Sequence, residues 1–268
     1  MGNWANMVFK AVRHLALLCA FLCLLLLQKD NAHAIVGGNE ADLGEWLWSV
    51  MIWIDLGDEQ GRCTGAFIHP QWILTAQHCT RDPNNFAVEL DPSMFRVGVG
   101  VHNQTVTESH AVYPKVVDIK RASAFSQDNR MVENDIALLK LESPVPIDPN
   151  YRSVIPISQG IEDDAHYLVD KQIGIITGWG MTSLTGGPSF VLKEIQVSDP
   201  TFPSSQLCFN NEFRICEDPL VPLSGPCKGD SGAPLAIPGD RGKWVHIGVY
   251  VEWDCIFADV GHLMKSSY

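Results

Sequence analysis

Three short strings of the sequence carry side chains that could perform nucleophilic chemistry together. They are WILTAQHC at residues 72–79, NDIALLKL at 134–141 and CKGDSGAP at 227–234. His78 ends an apolar run, Asp135 directly precedes another, and Ser231 lies between glycines in a loop that starts at a cysteine. A hydroxyl is a poor nucleophile at neutral pH, so Ser231 needs a base such as His78. His78 in turn needs a carboxylate such as Asp135 to hold its tautomer, and the glycines leave backbone N–H groups accessible to an oxyanion.

The elements that must position these residues are predicted to be strands. The chain has 268 residues, of which 46% are hydrophobic and 19% are charged, with 22 Gly and 16 Pro. This is a globular composition, long enough for one large domain or two small ones. Because short apolar runs alternate with Gly and Pro, the composition favours an all-β fold over long helices.

The first 34 residues have the pattern of a secretory signal peptide. A basic start (Lys10, Arg13) precedes an apolar run at 15–27, and the segment ends in the small-x-small triplet Ala32-His33-Ala34. A membrane anchor is the alternative, but a span needs about 20 apolar residues and this run is shorter. We therefore expect a cleaved signal at 1–34 and a secreted, extracellular protein with no membrane attachment.

Charge excludes one class of partner. The net charge of −12 becomes −14 when residues 1–34 are removed, since three basic residues and one acidic residue leave with them. Such a surface argues against nucleic acid and against anionic membranes as partners. We expect a monomer.

Six cysteines remain after the signal, and an even number in an exported chain indicates disulfides, with 15 possible pairings. They are Cys63, Cys79, Cys208, Cys216, Cys227 and Cys255. A zinc site is the competing use, but there is no CxxC pair or close His/Cys cluster, so no metal and no cofactor is predicted. Asn103-Gln104-Thr105 is a candidate N-glycosylation sequon in a turn-rich segment.

Six motifs occur along residues 35–268 in one recognisable order. They are Ile35-Val36-Gly37-Gly38, the Cys63 and Cys79 pair around the histidine string, Asn134-Asp135-Ile136-Ala137-Leu138-Leu139, Thr177-Gly178-Trp179-Gly180, Ile215-Cys216 and Gly229-Asp230-Ser231-Gly232. On these motifs the chain resembles the trypsin/chymotrypsin family of serine peptidases. The order His, Asp, Ser also matches this family and differs from two other common serine-hydrolase orders.

The resemblance implies two six-stranded antiparallel β-barrels with the active site in the cleft between them, the first at about 35–145 and the second at about 146–268. It implies a catalytic triad of His78, Asp135 and Ser231 in a secreted endopeptidase that forms an acyl-enzyme. Protein and peptide substrates, and protein inhibitors, would be its partners.

The same resemblance implies finer features of the site. The backbone N–H groups of Gly229 and Ser231 would form the oxyanion hole, and the freed α-ammonium of Ile35 would pair with Asp230. The disulfides would be Cys63–Cys79, Cys208–Cys216 and Cys227–Cys255.

The chain departs from the family pattern in three places. Gln77 replaces a small Ala before the histidine. Counted without a gap, Val251, Glu252 and Trp253 replace the Ser-Trp-Gly that lines the cleft, whereas a shift by one residue aligns Trp253 with the family Trp. The usual C-terminal helix is missing from the sequence, and we expect its loss to expose apolar barrel surface.

The primary specificity pocket also differs. Gly225, followed by Pro226, occupies the position where trypsin-like members carry an Asp, so a simple trypsin-type preference is excluded. Asp259 aligns with the opposite wall of the pocket and could supply negative charge from that side, whereas Trp253 could crowd the pocket entrance. The alternatives are a solvated loop or an alignment that is off by one.

Two questions of function stay open in the sequence. An active endopeptidase is the leading interpretation, and a non-catalytic secreted homologue with a binding or regulatory role is the second. An α/β-hydrolase is excluded because GxSxG and the alternating βα pattern are missing. Since Ile35 follows Ala34 directly, signal removal itself is expected to create the Ile35 terminus; a cut near 27–30, leaving a short propeptide, is the alternative.

Overall fold

The computed structural model describes residues 35–123, 125–128, 131–158, 173–183, 185–198, 214–219, 224–239, 242–251 and 261–265. The predicted signal at 1–34 and the C-terminal residues 266–268 lie outside this part of the chain. The described residues form strands with two short 3₁₀ helices, at His78–Thr80 and Pro92–Met94. The all-β prediction is therefore confirmed.

The strands fall into a first and a second group along the chain. The first group is β1 Asn39–Glu40, β2 Ser49–Asp55, β3 Gln60–His69, β4 Trp72–Thr75, β5 Arg81–Asp82, β6 Asn85–Glu89, β7 Phe95–Val99, β8 Val116–Arg121, β9 Ser126–Asp128, β10 Met131–Glu133 and β11 Ala137–Leu141. The second group is β12 Gly174–Gly178, β13 Lys193–Ser198, β14 Arg214–Pro219, β15 Pro234–Pro238, β16 Trp244–Tyr250 and β17 Gly261–Lys265.

The first barrel is a six-stranded antiparallel sheet in the order β7-β2-β3-β4-β11-β8. Its strands are amphipathic or fully apolar: β2 (SVMIWID) is buried at every residue but the last, and β11 (ALLKL) alternates buried and half-buried positions. Isolated bridges Arg96↔Lys115 and Val99↔Val112 join β7 to the segment before β8 and curl the sheet towards closure. The curled sheet buries a core around Ile52, Phe67 and Leu139.

The second barrel contains six strands in the order β13-β12-β15-β16-β17-β14, and β14 pairs back with β13 to close the sheet. Ile176, Leu235 and Ile247 fill a second hydrophobic cluster inside it. The structure thus has the two-barrel architecture of the expected fold.

Residues 35–40 associate with the second barrel, although the sequence-based division placed them with the first. Strand β1 pairs with β13 through Asn39↔Glu194 and Glu40↔Lys193, and Ile35 packs in the hydrophobic cluster of the second barrel. The pairing is favoured by charge, because Lys193 Nζ lies 3.7 Å from a carboxylate oxygen of Glu40. This arrangement brings the segment after residue 34 next to the Ser231 loop.

Direct contacts join the two barrels where the catalytic strings meet. The hydroxyls of Ser49 and Thr177 lie 2.7 Å apart, and the Thr64 N–H donates to the Ser231 carbonyl at 2.8 Å. Trp244 of the second barrel packs edge-on against Trp46, with ring centroids 5.1 Å apart. No helix in the described ranges is long and apolar enough to cross a membrane.

Candidate active site

His78 is held rigidly by its own backbone and by Asp135. Strand β4 ends at Thr75 and the chain turns into the 3₁₀ helix that begins at His78, which leaves the histidine at the barrel edge with only 6% of its surface exposed. Its ring Nδ1 lies 2.6 Å from Asp135 Oδ2, and its backbone N–H donates to Asp135 Oδ1 at 2.7 Å. Because an ionised carboxylate only accepts, the ring proton resides on Nδ1 and the lone pair on Nε2.

Asp135 is placed by a strained residue immediately before β11. Asn134 has φ +54, in the left-handed region that Asn tolerates better than most residues, and this turn directs Asp135 inward to complete burial. Among the described residues, His78 alone donates to its carboxylate. Val251, at the position where the ungapped comparison expects a supporting Ser, is buried, and its apolar side chain has no hydrogen-bond donor.

Ser231 sits in a tight loop that requires glycine on both sides. Gly229 has φ +98 and Gly232 has φ +85, and a Cβ at Gly232 would overlap the Thr75 hydroxyl and the Thr64 carbonyl. The loop is closed by the Asp230 N–H, which donates to the Cys227 carbonyl at 2.9 Å. Ser231 is 7% exposed, similar to His78.

Ser231, Gly229 and His78 line one cavity of about 300 Å³ between the barrels. The structure therefore brings together the side chains predicted to act as nucleophile, base and carboxylate, together with both residues predicted to bind the oxyanion. A base whose ring is held by a buried carboxylate, beside a hydroxyl in a glycine-rich loop, is suited to proton transfer during acyl transfer.

Asp230 points into the second barrel and is completely buried. It accepts hydrogen bonds from the Gly180 N–H at 2.8 Å and the Cys227 N–H at 2.9 Å. Burial raises the pKa of its carboxyl to about 7, against the lowering effect of these two hydrogen bonds. A Cβ at Gly178 or Gly180 would overlap the carboxylate, which explains why both positions are glycine.

Ile35 is also completely buried and has φ +47, an unfavourable angle for a β-branched residue. Its carbonyl accepts from the Gly38 N–H at 2.7 Å, and the next residue, Val36, forms a bridge with Gly225. The residue predicted to form the new terminus is therefore held in the second barrel, beside the nucleophile loop.

The predicted specificity pocket is only partly described. Gly225 has φ +156 and open space around the position of a Cβ, and the Pro226 carbonyl accepts from the Tyr250 hydroxyl at 3.2 Å. Trp253 and Asp259 lie outside the described residues, so the proposed role of Asp259 stays a prediction.

Thr64 is a site residue that the sequence reasoning missed. Its hydroxyl donates to the Gly229 carbonyl at 3.1 Å, its N–H donates to Ser231, and its carbonyl accepts from the Thr75 hydroxyl at 2.8 Å. These bonds fix the Ser231 loop to β3. The only signal in the sequence was its place directly after Cys63.

Gln77, which the sequence marked as unusual, is fully buried. Neither its side-chain oxygen nor its nitrogen has a hydrogen-bond partner in the described ranges. Its backbone carbonyl instead accepts from both the N–H and the hydroxyl of Thr80, which stabilises the turn that carries His78.

The Cys63–Cys79 disulfide implied by the resemblance is present in the structure. Its sulfurs lie near a ring nitrogen of His78, but both are in the disulfide and are not available as thiolate metal ligands. Cys227 is also disulfide-bonded, and its predicted partner Cys255 lies outside the described residues. Cys208 lies outside them too, and Cys216 is on β14.

The sequon at Asn103 forms a closed turn. Its side-chain oxygen accepts from the Thr105 N–H at 2.9 Å and from the Thr105 hydroxyl at 2.7 Å. Asn103 is half-buried and Thr105 is exposed. Its glycosylation stays a prediction.

Comparison with known proteins gives consistent matches. The trypsin family model matches residues 35–252. The chain is 28% identical over 225 residues to the proclotting enzyme of Tachypleus tridentatus, covering 80% of this chain and 58% of that protein. It is 30% identical over 226 residues to the suppressor of tumorigenicity 14 protein homolog of Bos taurus, covering 82% of this chain and 25% of that protein. The chain thus spans only part of the length of these relatives.

Proposed function

The chain belongs to the trypsin family of serine proteases, and from that premise we propose that it is an active, secreted endopeptidase that cleaves proteins through an acyl-enzyme. The observation that carries the proposal is the pair of hydrogen bonds from His78 to the buried Asp135, in a cavity that His78 shares with Ser231. That arrangement fixes the histidine tautomer that a serine nucleophile needs.

In the proposed reaction, Ser231 Oγ attacks the carbonyl carbon of the scissile bond while His78 Nε2 accepts the hydroxyl proton. Asp135 stabilises the resulting imidazolium, and the N–H groups of Gly229 and Ser231 donate to the oxyanion. The tetrahedral intermediate collapses to a Ser231 ester as His78 gives its proton to the leaving amine. Water, deprotonated by His78, then attacks the ester, and His78 returns the proton to Ser231 Oγ as the new carboxyl terminus leaves.

Activation in this proposal requires a free α-amino group at Ile35. Asp230 is fully buried with a raised pKa, and no cation pairs with it among the described residues of the intact chain, where the Ile35 nitrogen is a peptide nitrogen. The position of Ile35 in the second barrel supports an ammonium–carboxylate pair after cleavage. Breaking such a buried pair typically costs about 3–5 kcal/mol, enough to control whether the site is formed.

Primary specificity in this proposal does not follow the simple trypsin pattern. Gly225 brings no charge to its position, and the open space beside it leaves room for a substrate side chain. We assign Asp259 as the source of any preference for Lys or Arg, acting from the opposite wall.

A non-catalytic homologue is the second candidate, and two observations favour it. The Val251 side chain has no donor to offer Asp135, and the buried amide of Gln77 lies next to the catalytic histidine without a hydrogen-bond partner in the described part of the chain. Both would reduce the precision with which His78 is held.

Active-site titration separates the two candidates. The secreted protein is incubated with a fluorescent fluorophosphonate, with the Ser231→Ala variant as the control for non-specific labelling. We expect stoichiometric labelling of the wild type and none of the variant, together with hydrolysis of a peptide library by the wild type alone. His78→Ala should label at least a thousandfold more slowly, because the nucleophile then lacks its base. A folded wild type that neither labels nor hydrolyses would refute the proposed activity.

A further inference from the structure

Arg62 lies between two adjoining cavities. One is the cleft of about 300 Å³ that contains His78 and Ser231. The other, of about 340 Å³, lies further out and is also lined by Arg96 and by the aromatic rings of Trp53, Tyr113 and Phe190. We call this outer cavity the arginine groove. Because Arg62 lines both cavities, a peptide leaving the cleft on this side passes directly into the groove.

The charge of these two cavities is opposite to that of the molecule. The chain has 31 acidic residues against 19 basic ones, yet none of the described residues that line either cavity carries a carboxylate. The cleft contributes Lys228 as well as Arg62, and the groove contributes Arg96. A local concentration of positive charge on an acidic protein indicates selection for an acidic ligand.

The arginines of the groove differ in their partners from three other arginines of the described residues. Arg81, Arg121 and Arg152 each form an ion pair, with Glu89, Glu89 and Asp148. Arg62 and Arg96 have no carboxylate partner within the described residues, and the buried Nε of Arg62 has no hydrogen-bond acceptor there. A guanidinium in this state is ready to bind an incoming carboxylate through its donor fork.

Arg96 is also held in position before any ligand arrives. Its guanidinium lies 4.9 Å from the ring centroid of Trp53 and 4.8 Å from that of Tyr113. Stacking on two rings restricts the side chain, so less conformational entropy is lost on binding. Phe190 and Val106, which are 67% and 54% exposed, add apolar surface to the lining of the groove.

We propose that the arginine groove binds an acidic segment of the protein substrate next to the scissile bond, so that the enzyme selects bonds flanked on one side by Asp or Glu. This inference rests on the proposed peptidase function, since the segment is aligned by the peptide bound at Ser231. Arg62 contacts the acidic side chain nearest the cleft, and Arg96 contacts one further out.

The test uses two internally quenched peptides that share the best cleavage site from the library. One carries Asp and Glu at positions two to five from the scissile bond, and the other carries Asn and Gln there. Two such pairs are made, one with these residues before the scissile bond and one with these residues after it. In one of the two pairs, the wild type should cleave the acidic peptide with about tenfold higher kcat/KM than the neutral peptide. This ratio of kcat/KM values should fall as the NaCl concentration is raised. A ratio near one on both sides overturns the proposal.

Variants identify the residues that bind the acidic segment. For each variant, the ratio of kcat/KM for the acidic peptide to kcat/KM for the neutral peptide is measured, because a general loss of activity cancels in this ratio. Arg62→Gln with Arg96→Gln should bring the ratio close to one, and Arg62→Lys should keep most of it because the charge remains. Lys120→Gln is the matched control, because Lys120 pairs with Asp118 and lines neither cavity. If the double variant does not fold, Arg62→Gln alone must still lower the ratio; a ratio that survives in it overturns the proposal.

Binding distinguishes failure of the groove from failure of catalysis. If the wild type neither cleaves nor reacts with fluorophosphonate, the peptidase function fails. The groove is then judged by fluorescence anisotropy of both labelled peptides with the Ser231→Ala protein. Tighter binding of the acidic peptide, lost in Arg62→Gln with Arg96→Gln, supports the groove, and equal affinity for both peptides overturns it.

Discussion

At the scale of single residues, Asp135 is the side chain on which the histidine depends. Both of its oxygens accept from His78, one from the ring and one from the backbone. In Asp135→Asn, an amide NH₂ replaces one acceptor, so the ring is held in the wrong tautomer with its proton on Nε2. We expect kcat to fall by about four orders of magnitude while the thermal unfolding temperature changes by only a few degrees. Activity within tenfold of the wild type would exclude His78 as the base.

Asp230 gives a second prediction, about pH. In the folded intact chain its pKa is about 7, well above the unfolded value of 3.8, so the folded form keeps its proton longer. Stability therefore falls as pH rises from about 4 to about 7, and changes no further above that. With a free Ile35 ammonium, the pair favours the ionised carboxylate and removes this loss.

The measurement compares two forms of the Ser231→Ala protein, one starting at Ile35 and one retaining upstream residues. The form that starts at Ile35 should unfold about 10 °C higher at pH 7, and the difference should shrink towards pH 4. Asp230→Asn in both forms is the control and should remove the pH dependence. A difference that is constant with pH would argue against the Ile35–Asp230 pair.

Asp259 gives a third prediction, about substrate choice. If this residue supplies the charge of the specificity pocket, an ionised carboxylate there favours cationic side chains. Asp259→Gly should then reduce the preference for Lys or Arg before the scissile bond by about tenfold or more, while leaving fluorophosphonate labelling unchanged. A peptide library profiled with both proteins measures this, and an unchanged Lys/Arg preference would assign the residue to a solvated loop.

At the scale of elements, the Cys63–Cys79 disulfide fixes the His78 turn to β3. The bond closes a loop with a sequence separation of 16, which corresponds to about 3 kcal/mol of stabilisation in the chain-entropy model. Cys63→Ala with Cys79→Ala should therefore lower the unfolding temperature by about 9 °C. The kcat should also fall, because the histidine turn loses an anchor, and thermal scans with parallel kinetics test both effects. Equal stability with and without the bond would contradict this account.

At this scale, the features that the sequence could predict are those contained in short strings of residues. The contexts of His78, Asp135 and Ser231 are local, since each joins a reactive residue to an apolar strand or a glycine turn. Thr64 was missed because its hydroxyl bonds to Gly229, 165 positions away. The pairing of β1 with β13 was missed for the same reason. Contacts between distant segments depend on how the barrels close, which periodicity within a single strand does not reveal.

At the scale of the whole molecule, the proposed activity requires groups from both barrels. His78 and Asp135 belong to the first barrel and Ser231 to the second, and the Thr64 N–H that reaches Ser231 crosses between them. The segment that begins at Ile35 joins the second barrel through β1 and through burial of Ile35. We therefore expect a chain terminus created at Ile35 to support the site, and the point of cleavage to decide when the site forms.

The last prediction is that removal of the signal peptide creates this terminus directly. Ala32-His33-Ala34 fits the small-x-small pattern that signal peptidase accepts, whereas the nearest upstream Lys or Arg is Lys29, too far back for a trypsin-like activator to leave Ile35 at the terminus. The φ of +47 at Ile35 is unfavourable because its Cβ crowds the backbone, at about 1–2 kcal/mol. Cutting after Ala34 removes the Ala34 carbonyl from Ile35, so part of this crowding disappears and the cut also relieves strain.

N-terminal sequencing of freshly secreted protein should begin at Ile-Val-Gly-Gly, and the material should label with fluorophosphonate without further processing. Ala34→Leu is the matched control, since a large apolar side chain disrupts the small-x-small pattern without creating a site for a trypsin-like activator, and it should delay or abolish that terminus. Secreted wild-type material that starts upstream of Ile35, and that becomes reactive only after a second cut, would replace direct activation with a propeptide.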